Sequence, residues 1–215
     1  MKFDTGIAKK YRKSVEDAFA VIMDKGDAQQ KRVQGAINES KMLVQVKPLS
    51  EVNGASGRTG LISTIKTNVR LAKDRLDLED ALGEVYIVIA EETIDTGGQQ
   101  GCEGTFVHEG QHAYDFATAL ESFSNRDVNP IGIFDPTLYE LEWAAHITAG
   151  NYLLQINQQS YLDEGVGLMI LGQDASGKYF VNEDGIRQRL RESYKLAEDG
   201  DMGPLASKMM GLVFA

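Results

Sequence analysis

The stretch Phe106-Val-His-Glu-Gly-Gln-His-Ala-Tyr-Asp115 places two histidines, His108 and His112, four positions apart. On an α-helix, residues at this spacing lie on the same face, one turn apart, so both imidazoles could bind one metal ion from the same side. Apolar and aromatic residues flank the pair, as expected for a buried helix. The pattern predicts a helix over residues 103–121 that carries a metal site.

Glu109 follows the first histidine and completes the pattern H-E-x-x-H. Zinc bound by two histidines lowers the pKa of a coordinated water towards about 7, and a neighbouring carboxylate can accept the proton of that water. Three histidines placed at random would produce such a pair, with a glutamate after the first, about two times in a thousand. The sequence therefore predicts Zn²⁺ as the cofactor and Glu109 as the general base of a hydrolytic reaction. The alternative is a structural pair of histidines beside a solvated glutamate.

A zinc site of this kind needs a third protein ligand, which we expect on a second helix packed against the first. Pro136 favours a helix start, and the pattern that follows predicts a helix over residues 137–159. Three candidate ligands lie in its first turns: Glu140, Glu142 and His146.

We favour Glu142, because alanines follow it at +3 (Ala145) and +7, and small residues let two helices approach closely. Glu140 has the bulkier Trp143 at +3 and is the second choice. His146 lies one turn after Glu142, where it would serve either as a ligand itself or as a partner that orients Glu142.

These residues resemble the zincin metallopeptidases of the gluzincin type, in which H-E-x-x-H lies on one helix and a downstream glutamate, often in an E-x-x-A context, completes the zinc site. The matching segments are residues 106–115 and Glu142-Trp-Ala-Ala145. The resemblance implies zinc, hydrolysis of peptide or amide bonds, His108, His112 and Glu142 as ligands, and Glu109 as the base. Metzincins carry a third histidine at the position of residue 118, which is Thr118 here. The resemblance therefore does not extend to the metzincins.

The His-Ala-Tyr-Asp stretch is also similar to compact zincin domains found as bacterial effectors and toxins. The expected partner is a peptide or protein substrate, and an inhibitor or immunity protein is left open as a further partner.

Four further residues are candidates for supporting roles. Asp115 lies one turn after His112 and could orient an imidazole, or it could be a plain surface acid. Tyr139 or Tyr114 could donate a hydrogen bond to a tetrahedral oxyanion, although tyrosines more often lie in the core or at its rim. Cys102 could cap the metal in a latent form, but a buried bystander is the better expectation.

The remaining pattern predicts a helix-rich α+β fold, a zincin-like domain with a small mixed sheet, an active-site helix and a second ligand-bearing helix. Further helices are expected over 8–24, 28–41, 184–198 and 204–213. Strands are expected over 42–46 and 85–90, with a hairpin of 168–171 and 178–181. Loops are expected over 50–60, 96–101 and 123–136, and residues 61–82 are ambiguous between strand and helix.

Residues 1–215 are expected to form one domain, with residues 1–41 as a possible helical N-terminal extension. The strand at 85–90 precedes the motif by one loop and is expected to lie beside the active site. If its edge were open, an extended peptide could pair with it.

Composition excludes several classes of protein. The chain has 215 residues, 42% hydrophobic and 25% charged, which is typical of a folded globular protein rather than a disordered or collagen-like one. A formal net charge of −10 and the lack of a basic stripe argue against nucleic-acid binding and against anionic membrane surfaces. No apolar run approaches the roughly 20 residues that span a bilayer, so no membrane insertion is expected. The N-terminus lacks a signal-peptide pattern, which predicts a cytoplasmic protein or one secreted without a recognisable signal.

The leading prediction is a zinc-dependent metallopeptidase. A cell-wall peptide or amide hydrolase, or a toxin-type effector, would use the same site on other substrates, although an acidic chain is a poor match for anionic cell wall. A non-catalytic zincin-like binding module is the third possibility, but such a module would not need the base Glu109.

Overall fold

Helices predominate in the computed structural model of the protein, which describes residues 1–125, 127 and 132–213. The helices are α1 (Lys9–Lys25), α2 (Ala28–Glu39), α3 (Thr64–Leu71), α4 (Leu78–Leu82), α5 (Glu91–Ser124), α6 (Leu138–Ile156), α7 (Gln159–Gly167), α8 (Glu183–Arg189) and α9 (Ala206–Met209). The strands are β1 (Lys2–Phe3), β2 (Leu43–Lys47), β3 (Gly57–Leu61), β4 (Val85–Ala90), β5 (Leu171–Gln173) and β6 (Tyr179–Val181). The predicted helix-rich α+β class with a small mixed sheet is confirmed.

The four-stranded sheet has the order β1-β2-β4-β3. β2 is parallel to β4, whereas β3 is antiparallel to it. The predicted strand at 85–90 is confirmed as β4, and its nearly continuous burial is typical of an interior strand. The condition for peptide pairing with this strand, an open edge, is not met, because β2 and β3 pair with both of its sides. The edge strand beside α5 is β3.

The predicted loop over residues 50–60 is wrong at its C-terminal end, which forms β3. The glycines that indicated a loop are required there by close packing. A Cβ atom on Gly57 would lie 2.6 Å from Cγ2 of Thr105 and 2.7 Å from Cγ of Glu109. A Cβ atom on Gly60 would lie within about 3.1 Å of the Tyr86 ring.

The predicted loop over residues 96–101 is helical apart from a break at Gly98, where φ is 61° and ψ is −152°. Contacts with α1 hold the segment before this break in place. The Tyr11 hydroxyl donates a hydrogen bond to Asp95 at 2.7 Å, and Lys10 forms an ion pair with the same carboxylate. Ile94 is buried in the core. Tertiary contacts therefore override the local preference of the glycines, and the predicted helix over 103–121 is the C-terminal part of α5.

Of the ambiguous residues 61–82, Leu61 ends β3, and the segment after it contains α3 and α4. The side chain of Ser63 caps the N-terminus of α3. Ile65 and Val69, which suggested a strand, are 78% and 49% exposed, so they do not contribute to the core. The predicted hairpin is confirmed as β5 and β6. The predicted irregular segment 123–136 contains residues 126 and 128–131, which lie outside the described residues.

Helices α1 and α2 bury their apolar faces in the same hydrophobic core as α5. The packing of α2 on α5 explains Gly110 in the middle of α5. A Cβ atom there would lie 2.5 Å from Nε2 of Gln34 and 3.4 Å from Cδ1 of Ile37, both on α2. α2 packs on α5 through this glycine.

We expect Gly110→Ala to destabilise the protein by about 1–3 kcal/mol, because the added methyl group overpacks this contact even though alanine favours helix. Gly35→Ala on α2 is the matched control, since a Cβ atom there meets nothing within 4 Å. That variant should gain about 0.5–1 kcal/mol. Urea denaturation of both variants measures the difference, and equal shifts would contradict this account of Gly110.

Helix α6 packs against α5, with Ala145 and Ala149 buried. A polar contact reinforces this packing. The carboxylate of Glu103 on α5 accepts hydrogen bonds from the hydroxyls of Tyr152 at 2.6 Å and Tyr161 at 2.8 Å. One buried acid thus joins α5, α6 and α7.

Among the described residues, no helix combines the length and the apolarity that crossing a membrane requires.

Candidate metal centre

The two histidines of the motif converge on one point at the surface of α5. Their Nε2 atoms lie 3.1 Å apart, and their ring planes are nearly perpendicular, at 87°. This follows from helical geometry, because residues four apart stack one turn above the other. Both side chains are largely buried: they are 17% and 10% exposed for His108 and His112.

Glu142 on α6 meets this pair from the opposite side. Its Oε2 lies 3.4 Å from Nε2 of His108, and its Oε1 lies 3.5 Å from Nε2 of His112. One ligand atom from each of the three side chains lies within 4.8 Å of the others. These residues are therefore arranged so that they could hold a metal ion.

Electrostatics keep the carboxylate ionised. Burial alone would raise the pKa of Glu142, but the two imidazoles outweigh burial and hold it well below its usual range. Burial alone would likewise lower the pKa of His112, yet the Glu142 carboxylate raises it to about 9. Oε2 of Glu142 is buried without a hydrogen-bond partner among the described residues. A cation bound here would satisfy that oxygen, so the donor set fits a divalent metal.

Glu140 caps the start of α6. The alternative that Glu140 is the third ligand therefore finds no support. It is the third residue of α6, and its carboxylate accepts hydrogen bonds from the backbone N–H of Thr137 at 2.7 Å and from the hydroxyl of Thr137 at 2.8 Å. This is a capping box, and the glutamate is exposed at the helix start.

His146 lies beside the three residues and is not one of the group. Its Nε2 is 3.9 Å from Oε2 of Glu142, and its ring centroid is 4.8 Å from that of His108. Nε2 is buried and has no hydrogen-bond partner among the described residues. Burial, and then the charge of His108, lower the pKa of His146 to about 3, so the imidazole is neutral.

Glu109 lies where two cavities meet. Its carboxylate is buried and accepts a hydrogen bond from the hydroxyl of Thr59, on the edge strand β3, at 2.7 Å. The smaller cavity, of about 360 Å³, is also lined by His112 and Glu142. The larger one, of about 660 Å³, is also lined by His108. Glu109 can therefore reach a ligand on either side.

Asp115 and Cys102 are not part of the group formed by His108, His112 and Glu142. Asp115 accepts a hydrogen bond from Gln111 at 2.9 Å, and no hydrogen bond joins it to an imidazole among the described contacts. Burial raises the pKa of Asp115 to about 6. Cys102 is fully buried and lines neither cavity, and burial raises the pKa of its thiol to about 12. This agrees with the expectation of a buried bystander.

Neither predicted tyrosine lines the cavities. Tyr139 stacks on Trp143, with ring centroids 6.1 Å apart. The guanidinium of Arg32 lies over the ring of Tyr114, with its Cζ 5.4 Å from the ring centroid. The suggested oxyanion roles of both tyrosines therefore find no support.

The sequence analysis missed Tyr194, a tyrosine that lies beside the residues of the candidate metal site. It ends a π-helical turn, Leu190–Tyr194, and its ring contacts His146 edge-on at 6.0 Å between centroids. Burial, and then the charge of Glu142, raise the pKa of its hydroxyl. No local motif marks this residue, because it lies far along the chain from α5. Tyr194 lines the larger cavity.

Comparison with known proteins adds no further information. The chain matches no protein-family model, no curated protein and no solved structure.

Proposed function

We propose that the protein is a zinc-dependent metallopeptidase. The observation that carries the proposal is the convergence of His108, His112 and Glu142, with the buried carboxylate of Glu109 beside them at the junction of two cavities. We also propose that residues 1–215 form one zincin-like domain, because α1 and α2 share their core with α5.

Two imidazoles and one carboxylate are a donor set that suits zinc, and three protein ligands leave a coordination position for water or substrate. When bound, zinc supplies a Lewis acid that polarises a carbonyl and makes water acidic near neutral pH.

Glu109 accepts the proton of the attacking water and returns it to the leaving amine. The hydroxyl of Thr59 holds this carboxylate through one oxygen, which leaves the other available for proton transfer. Burial favours the reaction, because hydrogen bonds and charges act more strongly where bulk water is excluded.

The substrate is an extended peptide. β3 is the edge strand of the sheet next to the active-site helix, and Gly57 on this strand lines both cavities. A peptide paired with an edge strand gains backbone hydrogen bonds and points alternate side chains into pockets. The two cavities would receive residues on either side of the cleaved bond.

Tyr194 donates a hydrogen bond to the developing oxyanion in this proposal. We expect Tyr194→Phe to lower kcat about 100-fold, with KM and metal content nearly unchanged, because the interaction forms only in the transition state. Steady-state kinetics on the best peptide substrate measure both constants. Tyr139→Phe is the control. An equal loss of kcat in that variant would contradict the role proposed for Tyr194.

The first experiment is the metal content of purified wild type and His112→Ala, by plasma mass spectrometry, alongside a screen of peptide hydrolysis. The proposal expects about one zinc per chain in wild type, its loss in the variant, and hydrolysis that a chelator stops. Wild type without metal, even after zinc is added and excess is dialysed away, would overturn the proposal. Bound zinc without hydrolysis of any peptide would instead favour a binding module.

A further inference from the structure

Arg189 is the last residue of α8 and lines the larger cavity together with His146 and Tyr194. His108, one of the three residues that converge on the candidate metal site, lines the same cavity. The side chains of Arg189, Tyr194 and His108 therefore border one space.

Within the described part of the chain, no carboxylate lies within ion-pair distance of Arg189, and its Nε is buried without a hydrogen-bond partner. The neighbouring arginines differ. Arg187 pairs with acids of α8 and with Glu198, and Arg191 pairs with Asp199. Of these three arginines, the one that lines the larger cavity is the one without an ion pair among the described residues.

The acids of the same cavity are engaged elsewhere. Glu92 accepts a hydrogen bond from the backbone N–H of Leu49 at 2.7 Å. Glu164 accepts one from Gln100, and Glu109 is held by Thr59. A buried N–H without a partner is costly, and Nε is one of the donors of the guanidinium of Arg189. The planar fork of donors of this group matches a carboxylate in a two-point contact.

We propose that Arg189 binds a carboxylate of the peptide substrate within the larger cavity. The inference rests on the proposed function, which supplies the peptide. The carboxylate is either the C-terminus of the peptide or the side chain of an aspartate or glutamate near the cleaved bond. The first source makes the protein an exopeptidase that releases C-terminal fragments, and the second gives an endopeptidase that selects acidic residues.

Calorimetric binding tests the proposal without relying on turnover. The protein is Glu109→Gln, supplied with one equivalent of zinc, so that the probes stay intact. One probe pair is acetylated pentaalanine with a free or an amidated C-terminus. The other is the amidated peptide with glutamate or glutamine at its centre. Each probe is measured on this protein and on versions that also carry Arg189→Gln, Arg189→Lys or Arg191→Gln.

We expect one carboxylate probe to bind more tightly than its neutral partner, and Arg189→Gln to weaken that probe about tenfold or more. The affinity of the Arg189→Lys protein for that probe should lie between those of the parent protein and Arg189→Gln. Lysine keeps the positive charge but loses the planar fork of donors. Arg191 is exposed, so Arg191→Gln should leave the affinity for every probe unchanged. The pair that responds identifies the source of the carboxylate.

Equal binding within both pairs, or a preference for carboxylate that survives Arg189→Gln, would overturn the proposal. In the second case the carboxylate contacts the metal or another group. Incubation of the same peptides with wild type tests the proposed function separately. Binding that depends on Arg189 without any cleavage would leave the carboxylate site standing and remove the peptidase.

Discussion

Glu109→Gln is expected to lose hydrolysis by about 100- to 10,000-fold while it retains zinc and folds normally. Glutamine has the same shape and can still contact the hydroxyl of Thr59, which now lies 2.7 Å from the carboxylate. It cannot accept a proton from water. The proposed metal ligands His108, His112 and Glu142 are unchanged, so metal content should stay at the level of wild type.

Three measurements on this variant separate chemistry from structure: the rate on the best peptide, the zinc content and the midpoint of thermal unfolding. Glu79→Gln is a matched control, because Glu79 is exposed on α4 and lines neither cavity. It should match wild type in all three. An active Glu109→Gln enzyme would show that the assigned base is wrong.

Glu142→Ala is expected to weaken zinc binding more strongly than the roughly 10- to 100-fold typical of losing an outer partner of a ligand. The variant removes one of the three atoms that converge on the site. It also leaves the imidazoles of His108 and His112 without the carboxylate that faces them. Competition with a chromophoric zinc chelator measures the change in affinity.

Glu140→Ala is the matched variant, two residues earlier on the same helix. It should keep the zinc affinity of wild type and lose about 1 kcal/mol of stability, because it breaks the capping box with Thr137. The two variants thus have opposite expected profiles. The reverse order of zinc affinities would move the third ligand to Glu140.

Elements with a strong local pattern were predicted well. The helices α1 and α2, the strand β4 and the hairpin of β5 and β6 lie close to their predicted bounds. In each case the spacing of apolar residues, or a turn between two short runs, carries the signal within a few residues. Neighbouring elements are not needed to recognise such patterns.

Glycines caused the largest errors, at β3 and in the N-terminal part of α5. In isolation, glycine favours turns and breaks helices. In the folded protein, Gly57 makes room for Glu109, and contacts of α1 with Asp95 support the helix before Gly98. Both errors arise because these contacts join residues that are distant in the chain. A pattern of neighbouring residues does not contain such contacts.

By itself, the sequence determined that His108, Glu109 and His112 share one helix, with the two imidazoles on one face, because four-residue spacing is a property of the helix alone. Only the tertiary structure decided that Glu142, rather than Glu140, meets this face, and that Tyr194 and β3 complete the surroundings of the site. The physical reason is that these positions depend on how α6, the π-helical turn and the sheet pack against α5. Packing is set by the shape and burial of whole surfaces, not by the order of residues within one element.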